Sequence, residues 1–102
     1  MSYIVQTQVD LKFGQNDGFN EVLVHLKAFL AQHGWTLIYG LQPIIGKLTE
    51  GIHIWEVETL EAIPAGLGAV FSDPELGKQL ARLPNFMNSE TLQVMMKTPY
   101  SP

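Results

Sequence analysis

Apolar and polar positions alternate from the start of this chain. Across residues 2–12, Tyr3, Val5, Thr7, Val9 and Leu11 fall on one side and Ile4, Gln6, Gln8 and Asp10 on the other, a period of two that predicts a strand. After the turn-forming run Gly14-Gln15-Asn16-Asp17-Gly18 the period changes. Phe19, Val22, Leu23, Leu26, Phe29, Leu30 and His33 recur at helical spacing and form one apolar stripe about 120° wide. Asn16 or Asp17 is the expected cap of this helix and Gly34 its stop. Alternation returns over 35–41, with Trp35, Leu37, Tyr39 and Leu41 expected on one face. A third strand is expected over about 51–59, entered through a tight Thr49-Glu50-Gly51 turn.

The second half of the chain is less regular. A helical region from Leu60 contains Pro64, Gly66 and Gly68 and is expected to be weak or bent. Asp73-Pro74-Glu75 is a clearer start, with a capping carboxylate, proline at the first helical position and acid in the first turn, for a helix running to Arg82 or Leu83. Residues 91–97 are expected to form a fourth strand and 98–102 a C-terminal tail.

This order predicts an α+β, ferredoxin-like βαββαβ domain spanning 1–102, a four-stranded antiparallel sheet with both helices on one face. Two helices cover one sheet face, yet large apolar groups fall on both. Leaving the second face wet would expose several hundred Å² of apolar surface, so a homodimer or a higher oligomer is expected.

Composition narrows the function classes. Six basic and ten acidic residues give a net charge of −4, with no basic patch for nucleic acid or an anionic membrane surface. There is no cysteine, which removes disulfides and thiolate chemistry. The opening residues carry no secretory signal pattern and no apolar run approaches 18 residues, so a cytoplasmic location is expected.

Several local features together resemble the NIPSNAP family, within the wider group of dimeric α+β barrels. These are the strand opening at Tyr3, the helix ending before Gly34-Trp35, and Ile54-Trp55 followed by a helix carrying Ala62 and Ala65. Phe71-Ser72-Asp73-Pro74-Glu75-Leu76 is similar to the family's Asp-Pro-Glu turn, although Leu76 stands where an aromatic is usual, and Asn88-Ser89-Glu90 resembles its polar lead into the last strand. The resemblance implies a dimeric α+β barrel with one pocket per subunit. Related barrels include cofactor-free monooxygenases, lactone isomerases, polyketide cyclases, dehalogenases and haem-degrading enzymes.

Candidate chemistry centres on residues 52–58. His53 has the pKa range for general acid–base work and shares its strand face with Trp55, which suits a planar ligand; Tyr39 is a candidate partner. Glu56, paired on the opposite face with Glu58, is a candidate base, and His25 lies at the edge of the first helix's apolar stripe. Trp35, Tyr3 and Met95 are further candidate ligand contacts. The simpler reading makes His53 a satisfied core histidine and Trp55 core filling. The histidines show no metal-ligand spacing, the glycines form no phosphate loop, and neither metal nor cofactor is expected. The function expected is a small cofactor-independent isomerase, cyclase or monooxygenase acting on an apolar aromatic or polyketide-like molecule. The alternative is a non-catalytic homodimeric module that binds a small molecule or a protein.

Overall fold

The computed structural model describes residues 2–102. Its elements are β1 (Tyr3–Leu11), α1 (Asn16–Ala31), β2 (Thr36–Leu41), β3 (Glu50–Val57), α2 (Ala62–Ser72), α3 (Pro74–Leu80) and β4 (Met87–Met96), with a 3-10 turn at Leu83–Asn85 before β4. The strands form one antiparallel sheet in the order β2-β3-β1-β4. Helices α1, α2 and α3 lie on one face. Cα extents of 39 × 37 × 18 Å describe a two-layer slab with one sheet face bare.

The barrel expected from the resemblance is not present. β2 and β4 are the two edges of an open sheet, and they do not pair with each other. Four strands are too few to close: adjacent strands rotate by about 20–25°, and a barrel core wide enough for side chains takes about eight.

Burial follows the strand alternation. Val5, Val9, Trp55 and Val57 are buried beneath the helices, while their neighbours Ile4, Gln6, Ile54 and Glu56 face the other way and are half-buried. Helix α1 buries Phe19, Val22 and Leu30 and packs Leu23, Leu26 and Phe29 around them. Its first turn has Asp17 in favourable alignment with the helix dipole, but neither Asn16 nor Asp17 caps it; the N-cap position is Gln15, without a side-chain bond. At the other end Gly34 takes φ +84°, which lets the Trp35 N–H turn back to the Leu30 carbonyl at 3.0 Å.

Three boundaries differ from expectation for identifiable reasons. Helix α2 is continuous through Gly66, because that glycine packs flat against the Trp35 indole and tertiary burial outweighs a propensity penalty of about 1 kcal/mol. The Asp73 cap forms as expected, its Oδ2 accepting the Leu76 N–H at 2.8 Å, but α3 ends at Leu80 and the chain turns through Leu83–Asn85 before β4. β4 starts at Met87, four residues early, since β1 offers it partners as far as Leu11. No helix among the described residues is long and apolar enough to cross a membrane.

Candidate functional site

One β-bulge decides which side chains meet. On β2, Leu37 pairs with Trp55, but the next paired residue, Tyr39, stands opposite Ile54, so Ile38 is extra. The inserted residue moves Tyr39 and Leu41 to the bare face and places Gly40 beside His53. Trp35, ahead of the bulge, stays under the helices. It is 2% exposed, donates its indole N–H to the Ala62 carbonyl at 2.8 Å, and meets Trp55 edge to face, with ring centroids 5.8 Å apart.

Above these rings, between sheet and helices, lies a cavity of about 420 Å³, within the range of small-ligand sites. Its floor is Thr7 and His53, which pair across β1 and β3, together with Trp55 and Leu92. Leu26 and Leu30 of α1 and Leu67 and Val70 of α2 form the roof. The mouth lies towards β4, past Pro84, Asn88 and Glu90.

Among the described residues His53 is the one buried polar side chain of the core, at 8% exposure. Phe19 and Trp55 flank its ring, with centroids at 5.8 and 6.5 Å. Among the described residues no protein atom hydrogen-bonds the imidazole, and its nitrogens are not sealed off, so they face the adjoining open space. Burial without an anionic partner pushes its pKa below the ordinary 6.5 and keeps the ring neutral. A neutral imidazole offers one donor and one acceptor. Glu90 keeps solvent access at the rim, yet the apolar walls strip water from its carboxylate and raise its pKa above the ordinary 4.5.

These opposite shifts have opposite consequences for folding. The folded chain binds a proton at His53 less readily than the unfolded chain, so this stabilisation is complete above pH 6.5 and is lost as pH falls below it. At Glu90 the folded chain holds the proton more tightly, so its contribution is present below pH 4.5 and is lost as pH rises through the folded pKa. Thermal melts from pH 8 to 5 should show a fall in Tm that His53→Gln removes. Glu90→Gln should melt above the native chain at pH 7, with the gap closing towards pH 4.5. A native-like acid slope in His53→Gln would contradict the assignment.

Other candidate residues stand elsewhere. Tyr39 is on the bare face, 61% exposed. Glu56 is also there, accepting a hydrogen bond from Ser2 Oγ at 2.9 Å and lying 3.6 Å from Lys97 Nζ. Met95 pairs with Ile4 on that face. Tyr3 is on the helix side but packs at the far end of the core, away from the cavity. His25 is exposed on α1 beside a separate shallow groove against α3. The cavity therefore unites His53, Trp55 and Trp35 from the expected set and adds Thr7 and Glu90. Thr7 is legible as the one polar residue on an otherwise apolar strand face, whereas Glu90 lies outside the strand expected over 91–97 and joins the site because β4 starts at Met87. No group of three His, Cys, Asp or Glu side chains that could hold a metal ion occurs among the described residues.

No protein-family model and no curated protein matches the sequence. Solved structures do match. A NIPSNAP family protein of unknown function from Agrobacterium tumefaciens superposes with a TM-score of 0.86 at 19% identity, covering 99% of this chain and 92% of that one. The chain has the NIPSNAP fold. An uncharacterised NIPSNAP-like domain protein from Burkholderia xenovorans gives 0.83 at 16% identity over 99% and 89% of the two chains. SnoaB, a cofactor-independent oxygenase from Streptomyces nogalater, gives 0.71 at 15% identity over 98% of each. The NIPSNAP fold thus extends, in more distant form, to an oxygenase, and the likeness at these identities is one of fold.

Proposed function

We propose that this protein binds an apolar, flat small molecule in the cavity between its sheet and helices, with His53 as the polar contact on the floor. The observation that carries this reading is an apolar chamber with a buried imidazole that no protein group satisfies. Its nitrogens stay open to the adjoining space, so a bound molecule can take over their hydrogen bonding from water while it buries its own apolar surface against the chamber walls. Trp55 and Trp35 supply flat aromatic wall, and the leucines of α1 and α2 supply the rest.

Naphthalene is a suitable probe, followed through the indole N–H resonances of Trp35 and Trp55, the two tryptophans of the chain. Saturable shifts are expected in the native protein. Leu67→Trp, which fills the chamber from the roof, should weaken binding at least about tenfold. No saturable shift in the native protein would sink the proposal.

A second reading is proton transfer by the same imidazole, as a cofactor-independent isomerase or oxygenase would use. It is supported by the neutral state of His53, which leaves it able to accept a proton from a bound molecule, and by the fold likeness to SnoaB. In this reading His53 acts without Tyr39, Glu56 or His25, which lie outside the cavity. We also infer a homodimer through the bare sheet face, supported by the exposed apolar groups Tyr39 and Leu41 beside Ile52 and Ile54, and Met95 beside Ile4.

A further inference from the structure

His53 borders two cavities. The second, of about 240 Å³, lies towards β2 and is lined by Asn20, Gln42, Gly40, Gly51, Leu11 and Leu41 together with Phe19 and His53. Phe19 and His53 also line the main chamber, so these two side chains form the wall that the two spaces share. Their lining differs: the main chamber is walled chiefly by leucine and tryptophan, whereas the second has Asn20, Gln42 and two glycines beside His53.

Gly40 leaves the tip of the imidazole open to this recess, while Gly51 is glycine because Val9 packs against it, 2.9 Å from where a Cβ would stand. A Cβ at Gly40 would stand 3.5 Å from His53 Cδ2 and 3.7 Å from Nε2, and one at Gly51 would stand 3.9 Å from Cε1. The tip of the ring, with Nε2, therefore lies against the Gly40 position, which carries no side chain. Gly40 holds ordinary strand geometry, without a positive φ, so the backbone does not demand glycine there. What the missing side chain provides is open space beside Nε2.

We propose that this recess is a polar subsite, and that the bound molecule is amphiphilic. Its apolar body fills the main chamber, and an oxygen head group, a carboxylate or an alcohol, passes His53 to be held by Nε2 and the amides of Asn20 and Gln42. A neutral imidazole and two primary amides supply both donors and acceptors, which suits either head group. This proposal rests on the small-molecule reading of the main chamber and adds to it the chemical class of the ligand.

The test compares naphthalene, 2-naphthoate and 2-naphthalenemethanol on the native protein and on Gly40→Leu, which places a side chain in the recess at an exposed edge-strand position. Affinities are read from the tryptophan indole resonances. At least one oxygen-bearing probe should bind the native protein about tenfold or more tighter than naphthalene. That advantage should vanish in Gly40→Leu while naphthalene affinity is kept, which also shows that the variant is folded. Equal binding of all three probes to the native protein overturns the subsite, and so does an advantage that survives Gly40→Leu. Failure of naphthalene itself to bind strikes the main-chamber reading instead. If Gly40→Leu does not fold, Gln42→Leu replaces it, with the expectation of a severalfold smaller advantage and an unchanged advantage again overturning the subsite.

Discussion

Trp35→Ala is expected to lower unfolding free energy by about 3–5 kcal/mol, the range for deleting a buried tryptophan. Small domains have about 5–15 kcal/mol in total, so the variant should sit close to the unfolding threshold at 37 °C. Three separate contacts converge on this side chain. Its ring is buried against Trp55, its N–H is bonded to the Ala62 carbonyl, and its indole fills the hollow left by Gly66. The Ala62 carbonyl lies in the first turn of α2, so Trp35 ties the β2 entry to that helix. Trp35→Phe separates these contributions: it keeps most of the packing and loses the hydrogen bond, for an expected cost of about 1–2 kcal/mol beyond the smaller ring. Gly66→Ala attacks the same contact from the opposite side and should cost about 1–3 kcal/mol, as overpacking does, despite alanine's better helix propensity. Urea unfolding followed by circular dichroism measures all three. A Gly66→Ala protein as stable as the native chain would show that the indole can move aside, and would remove the locking role given to Trp35.

The element order was readable because β1, α1 and β3 keep unbroken periods. Val5, Val9 and Leu11 alternate cleanly, Phe19 to Leu30 hold one stripe, and His53, Trp55 and Val57 share a face as their parity requires. Parity puts His53 and Trp55 on one face but does not say which face the helices cover. It failed where the backbone inserts a residue. Ile38 has no composition that marks a bulge, so Tyr39 and Leu41 seemed to continue the face of Leu37 and lie instead on the opposite one. That single insertion separates Tyr39 from His53 and leaves Gly40 beside the imidazole. Helix α2 was misjudged for a different reason: glycine propensity is a local quantity, and the partner that rewards Gly66 is Trp35, far away in sequence. Glu90 became a site residue only through the register of β4 on β1, a pairing that no local pattern fixes. The barrel failed at a higher level, since strand order within one chain leaves β2 and β4 as edges whatever family the chain resembles.

Ile54→Glu is expected to weaken self-association by about a hundredfold or more, with little change in the fold of the subunit. Ile54 sits mid-strand on β3, between Tyr39 of β2 and Gln6 of β1 on the bare face. Leu41, Ile52 and Gln8 form the next row, so in these two rows the apolar groups lie on β2 and β3 while β1 and β4 contribute Gln6, Gln8, Gln93 and Thr91, with Ile4 and Met95 at the other end of the face. Tyr39 and Leu41, on the edge strand β2, are 61% and 48% exposed, and Ile52 and Ile54 beside them are half-buried, which leaves apolar surface wet in the isolated subunit. A two-fold pairing that covers it buries Ile54 near the middle of the contact, where truncations cost most. An unpaired glutamate there must be desolvated without compensation, and the resulting loss of about 3 kcal/mol or more corresponds to the hundredfold change. The same substitution costs the monomer little, because Ile54 does not belong to the helix-facing core. Ser89→Lys, at the polar end of the same face opposite Asp10, should leave association near the native level. Sedimentation velocity over a range of concentrations distinguishes the cases. A native chain that stays monomeric at about 100 μM, or an Ile54→Glu chain that associates like the native one, would mean that the bare face is not the interface.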